Sequence, residues 1–255
     1  MMVKNSLNLP KVIRPLFLRY WTVVLLSTVG LSYVFQGCSD TPSTPEQHVA
    51  QGDQFLADGN AAEAVAAYRM ALHQDTLNPT ILARLSKAYK AQKKTVASDR
   101  YLRKAMNIPY EEGLNALQAG NDSAAIVAFE QTLEVFPRHP LALNKLGDIY
   151  LAHDQIDKAL LHYEKSSEAN PNFAETWVKL GRLYTAKKMI EKSKDAYLKA
   201  IALNINSYRS YLGLGQIYLE KELWMDAAEQ FDKALIIDPQ SAAARAGINE
   251  AKSHF

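Results

Sequence analysis

Residues 177–184 read Trp-Val-Lys-Leu-Gly-Arg-Leu-Tyr, with a glycine and an aromatic residue three apart inside an apolar-periodic run. Moving outward from Gly181, small residues recur at Gly52, Ser86, Gly113, Gly147 and Gly215, at successive spacings of 34, 27, 34, 34 and 34 across the six. Three residues after each stand Phe55, Tyr89, Ala116, Tyr150, Tyr184 and Tyr218. Twelve after each stand Ala64, Ser98, Ala125, Ala159, Ser193 and Ala227, and sixteen after stand Tyr68, Leu102, Phe129, Tyr163, Tyr197 and Phe231. A further small series, Ala71, Ala105, Thr132, Ser166, Ala200 and Ala234, closes the pattern, and Pro137, Pro171 and Pro239 follow its members by five residues, where a helix stops.

Small residues at helical spacing let two backbones approach while the aromatic residues fill the space between units. Gly52, Gly113, Gly147, Gly181, Gly215, Ala64, Ala125, Ala159 and Ala227 are therefore expected to be packing positions. A helix pair of this kind cannot bury its apolar face alone and must stack on a neighbour. The pattern resembles the tetratricopeptide repeat, and residues 177–184 fit that family's W-x2-L-G-x2-Y. The resemblance implies an all-α fold, a right-handed superhelical solenoid of six helix pairs. The units cover 45–78, 79–105, 106–139, 140–173, 174–207 and 208–241, and a capping helix occupies 242–255. Only eight residues separate Ala105 from Gly113, where the other units use fifteen, and Pro109 lies between. The expectation is a break there, with the next helix starting late, near Tyr110, and the array divided into two repeats and four.

The N-terminus is of another kind. Lys4, Lys11, Arg14 and Arg19 precede an uncharged, mostly apolar run of fifteen residues, Trp21 to Phe35. At 1.5 Å per residue it reaches only about 22 Å, short of a hydrocarbon core of roughly 30 Å. This is the order of an export signal. With Gly37 before Cys38, residues 1–38 resemble a bacterial lipoprotein signal, which implies that Cys38 is lipidated and becomes the mature N-terminus, placing the body in the cell envelope, facing the periplasm or exterior. The alternative is an uncleaved signal anchor with the same orientation. Residues 39–47, with two prolines and no periodicity, are expected to be an extended tether before a solenoid at 48–255.

The chain has 255 residues, 48% apolar, enough for a sizeable core, and its single cysteine excludes an intramolecular disulfide and any multi-cysteine metal site. Beyond residue 38 the net charge is −2, so the main body lacks the footprint of a dedicated nucleic-acid binder and no nucleic-acid partner is expected. The histidines show no metal-ligand spacing, and no phosphate loop or nucleophile elbow is present. The expectation is a non-catalytic chain with no metal and no cofactor.

What remains is surface. The family lines a concave groove with the first helix of each unit, which implies groove positions at Lys87, Lys90, Tyr110, Leu117, Asn144, Leu151, Val178, Arg182, Leu212 and Leu219. Leu117, Leu151 and Leu219 form an apolar row there, either a binding floor or core. Asp53 with Lys87, and Asp148 with Arg182, stand 34 residues apart at equivalent places and are expected to pair across the groove; the alternative is recognition of an acidic peptide or chain terminus, for which Lys87 with Arg182 is a sparse match to the family's carboxylate-clamping set. Residues 79–107 carry a local charge of +7, leaving −9 on the rest of the chain beyond residue 38. That basic stretch is a solvated face or a contact for anionic headgroups or an acidic partner. The combined expectation is a membrane-tethered scaffold holding a protein or peptide in its groove. The alternatives are a pilotin-like assembly factor for an envelope secretion or pilus machine, and a lipoprotein that binds cell-wall glycan or regulates an enzyme.

Overall fold

The structure, a computed structural model, describes residues 43–254. The expected signal segment, the lipidation of Cys38 and most of the tether lie outside the described residues. Among the described residues there are twelve helices and no strand: α1 (Pro45–Ala57), α2 (Ala61–Gln74), α3 (Pro79–Ala91), α4 (Thr95–Gln118), α5 (Asp122–Val135), α6 (Pro140–Ala152), α7 (Ile156–Ala169), α8 (Ala174–Ala186), α9 (Ile190–Leu203), α10 (Tyr208–Glu220), α11 (Trp224–Ile237) and α12 (Ala242–Lys252). Each packs on the helix that follows it, giving an all-α repeat solenoid. None of the described helices is long and apolar enough to cross a membrane.

Local chemistry sets the helix starts. Thr44 and Gln47 close a capping box, each side chain bonding the other's backbone N–H, with Pro45 at the first helical position. Pro45–Gln47 therefore form the first turn of α1 and not the end of a tether. Asn78 accepts from Thr80 and Ile81 at the start of α3. His139 does the same for α6 through Nδ1, which accepts from the Ala142 N–H at 3.0 Å. Within each pair the chain turns through one residue at positive φ, at Gly59, Lys93, Gly120, Asp154, Lys188 and Glu222. These residues repeat the 34, 27, 34, 34, 34 spacing of the small series.

The core is a ladder of rings laid on glycines. A Cβ on Gly52, Gly113, Gly147, Gly181 or Gly215 would lie 2.5–2.6 Å from Tyr68, Phe129, Tyr163, Tyr197 or Phe231. No side chain fits such a gap, so the backbone itself forms the seat of the ring. Ala64, Ala125, Ala159 and Ala227 are fully buried where paired helices meet.

At the short interval the structure corrects the expectation of a break. The helix does not end at Ala105 and restart near Tyr110; α4 runs 24 residues straight through Pro109. Its first half packs on α3 and its second on α5, so it serves two units at once. Eight residues at about 100° each turn the packing face by roughly 80°, enough to pass from one partner to the next without a loop. Proline removes one N–H donor and crowds the carbonyl four residues back, which a helix held on both sides absorbs as a local distortion. Ala105 and Pro109 are fully buried at this junction.

Candidate partner-binding groove

The groove face is organised by the residue that follows each small residue by thirty-two. It is a cation at Arg84, Lys145 and Lys179, and two of these, Arg84 and Lys179, each neutralise an aspartate of the preceding unit. Arg84 Nε is 3.0 Å from Asp53 Oδ1, and Lys179 Nζ is 2.7 Å from Asp148 Oδ1. Where Lys145 stands, the preceding unit carries Leu114 in place of the aspartate. The same aspartates accept from the ring hydroxyls beneath them, Tyr68 and Tyr163, each at 2.6 Å. Burial first, and the adjacent carboxylate second, push both phenols well above their ordinary range. The expected partners Lys87 and Arg182 are thus displaced: the aspartates are taken by residues one helical turn earlier on the next helix. Lys87 and Arg182 are left exposed and form no ion pair among the described residues.

In the last units the same position is glycine. Gly213 and Gly247 press on the outer faces of Tyr197 and Phe231, where an added Cβ would lie 2.4 Å from either ring. Without a side chain at Gly213, the groove deepens into an open pocket of about 530 Å³. Arg182, Tyr208, Arg209, Leu212 and Gln216 line it above the Tyr197 ring. Arg182 and Arg209 are both exposed and form no ion pair among the described residues. Leu212 gives an apolar wall, and the Tyr208 hydroxyl is tied to Ser241 Oγ at 2.7 Å, fixing the far rim. Two positive charges beside an apolar wall suit a carboxylate next to a hydrophobic side chain.

Of the sequence-predicted groove residues, the structure brings Arg182 and Leu212 together here. Lys87 lines a separate cleft between α3 and α5, with Glu112 and Glu134 on its other side. Lys90 is exposed, and Val178 is half-buried on α8. Asn144 is buried, its amide donating to Ser166 Oγ and Thr176 Oγ1 at 2.7 and 2.8 Å, so it ties α6 to α7 and α8 and faces no groove. Tyr110 packs against Phe129 and His139. The leucine row is not a uniformly exposed floor. Leu219 is buried in the last core, beside Trp224 and Ala227, while Leu117 and Leu151 pack half-buried against the cores of their own units. Four residues on from a small residue, a helix returns to nearly the same face, so these leucines share the packing side of Gly113, Gly147 and Gly215.

Sequence reasoning missed Arg209, Tyr208 and Gly213. The signal was present, since Gly213 stands where equivalent units carry Arg84 and Lys179.

Tetratricopeptide-repeat models match residues 110–172 and 174–204, and the chain contains tetratricopeptide repeats. Among curated proteins none matches in sequence. The crystal structure of the APC/C hetero-tetramer Cut9-Hcn1 is similar to 83% of this chain with a TM-score of 0.50 and 20% identity, and the match spans 43% of that chain. The crystal structure of MamA is similar to 74% of this chain and 95% of its own, with a TM-score of 0.47 and 23% identity. The first TPR of Spaghetti (RPAP3) bound to an HSP90 peptide covers 45% of this chain and 91% of its own, with a TM-score of 0.44 and 19% identity. At these identities the likeness is one of fold.

Proposed function

We propose that this tetratricopeptide-repeat solenoid is a non-catalytic scaffold, held in the cell envelope by its N-terminal segment, that seats an acidic segment of a partner protein in the pocket between α8, α10 and α12. The observation that carries the reading is the pair Arg182 and Arg209, exposed on either side of an apolar-walled pocket and lacking carboxylates among the described residues. Neither guanidinium is committed to a carboxylate within the solenoid among the described residues, so a partner carboxylate seated beside the apolar wall adds a charge-assisted contact without breaking an existing ion pair. Tethering would raise the effective concentration of scaffold and partner at the membrane surface.

The test is selection of a random peptide library on the full chain, followed by affinity measurement of the enriched peptides. Enrichment of Asp and Glu next to an aliphatic residue is expected, with affinity falling about tenfold or more in Arg182→Glu/Arg209→Glu. Enrichment without acidic residues, or unchanged affinity in the double variant, would refute the assignment of the pocket.

A further inference from the structure

Part of the basic stretch at 79–107 meets Arg69 at one corner of the solenoid, apart from Arg84 and Lys87 on the groove face and from the C-terminal pocket's residues. Arg69 on α2, Lys93 and Lys94 in the turn after α3, and Arg100 on α4 surround a shallow depression of about 660 Å³. Its wall is the stacked pair Tyr89 and Tyr101, whose ring centroids are 5.4 Å apart at 8°. No acidic residue lines it, and none of the four cations forms an ion pair among the described residues. Arg103 and Lys104 extend the charge along the exposed side of α4.

Two features separate this corner from an ordinary solvated face. Val96, 82% exposed, projects among the cations, and Met70, 54% exposed, stands next to Arg69. Exposed apolar side chains amid positive charge are the composition of an interfacial contact, where charge meets headgroups and the apolar tip enters the acyl boundary. The second feature is where the chain enters. Gln74 Nε2 donates to the Ser43 carbonyl at 3.0 Å, holding the start of the solenoid against the end of α2. Gln74, Met70 and Arg69 border one surface of that helix, and Arg69 is shared with the basic depression. The entry point and the patch are thus continuous along little more than one helical turn. From Cys38 to Ser43 the chain reaches at most about 18 Å.

We infer that this corner, Arg69, Lys93, Lys94 and Arg100 around Val96, rests on an anionic phospholipid surface and orients the solenoid on it. The choice of a bilayer over a soluble acidic protein rests on the proposed N-terminal tether. The rest of the chain beyond residue 38 carries −9, so other faces are repelled by the same surface and the corner is the side that settles.

The test uses the full chain with two kinds of vesicle, phosphatidylcholine alone and phosphatidylcholine mixed with phosphatidylglycerol. Flotation with the neutral vesicles reads the tether, and hydrogen exchange at the amides of residues 95–97 reads the patch. Those amides open α4, whose N-terminus has no side-chain cap and whose first helical hydrogen bond is the one the Ser98 N–H gives the Lys94 carbonyl, so they exchange readily when uncovered. Exchange is expected to slow about tenfold or more on the anionic vesicles and not on the neutral ones, and to recover in high salt and in Arg69→Gln/Lys94→Gln/Arg100→Gln. Equal exchange on both vesicle types would overturn the inference, even where the chain floats with the neutral ones. So would slowing by poly-glutamate with none by anionic vesicles, which would assign the corner to an acidic protein. A chain that fails to float with neutral vesicles yet shows the anionic slowing would end the tether reading and keep the patch.

Discussion

Gly181→Ala should destabilise the solenoid, and the same substitution should become stabilising once the ring it strikes is removed. In the fold, a Cβ at residue 181 lies 2.6 Å from Tyr197 Cδ1 and Cε1. The ring cannot retreat, because a Cβ at Gly213 on its other face would lie only 2.4 Å away, so that backbone is already in contact. Forcing a methyl into such a site costs typically 1–3 kcal/mol, and the pinned ring puts the cost at about 2–3 kcal/mol. Against it stands the gain in helix propensity, about 1 kcal/mol for Gly to Ala in a helix interior. The net expectation is about 1–2 kcal/mol of destabilisation. Tyr197→Leu removes the clash and copies the second unit, which carries Ser86 and Leu102 at the equivalent places. That change alone costs about 2–3 kcal/mol through lost packing. In its background only the propensity gain remains, so adding Gly181→Ala should recover up to about 1 kcal/mol. Urea unfolding followed by far-ultraviolet circular dichroism measures all four corners of the cycle. Equal costs of Gly181→Ala in the two backgrounds would refute the account of the ring seat.

Other consequences follow from the same geometry. Burial holds the His139 and His162 imidazoles below their ordinary pKa, and His139 Nδ1 caps α6 only while unprotonated. The unfolded chain therefore binds more protons as pH falls below about 6.5, so stability should decline from there until the lowered folded values are passed, and His139→Asn should flatten the decline in a pH series of urea melts. Leu219→Ala should cost about 2–5 kcal/mol, since the side chain is core; a change under about 1 kcal/mol would return it to the groove. Hydrogen exchange should be as slow through residues 106–113 as in α3, because α4 is one helix, and a fast-exchanging island there would restore the break. Glu222→Gly, at φ 58°, should be neutral or stabilising by up to about 1 kcal/mol in the same melts, while a loss of that size would show that the left-handed turn carries no strain.

The repeat was legible because its signal is steric and recurs: a ring needs a glycine sixteen residues earlier, and five glycines keep that register. The turn series was hidden for the opposite reason. Left-handed conformation usually announces itself as glycine, but four of the six turns here use Lys93, Asp154, Lys188 and Glu222, so only their spacing betrays them. Pro109 misled because proline is read as a stop from local chemistry alone. Contacts from α3 and α5 on the two halves of α4 outweigh one missing hydrogen bond, and no pattern within residues 105–113 records those contacts.

The groove was misread through phase and through pairing. Reading Leu219 as groove floor and not core overlooks that four residues beyond Gly215 advance the helix by about 400°, only some 40° past a full turn. Pairing Asp148 with Arg182 assumed that equivalent positions on successive helices face each other. Stacked units are offset along the groove, and Lys179 arrives first, with the Tyr163 hydroxyl completing the aspartate's shell. That offset has a functional consequence. Because the aspartate is satisfied one turn earlier, Arg182 is left exposed, and because the next unit replaces the neutralising cation with Gly213, there is space beside it and an arginine, Arg209, on the far side. The same position that locks two earlier interfaces shut thus opens a later one, and the choice of side chain or glycine thirty-two places after each small residue separates packing from recognition along the array.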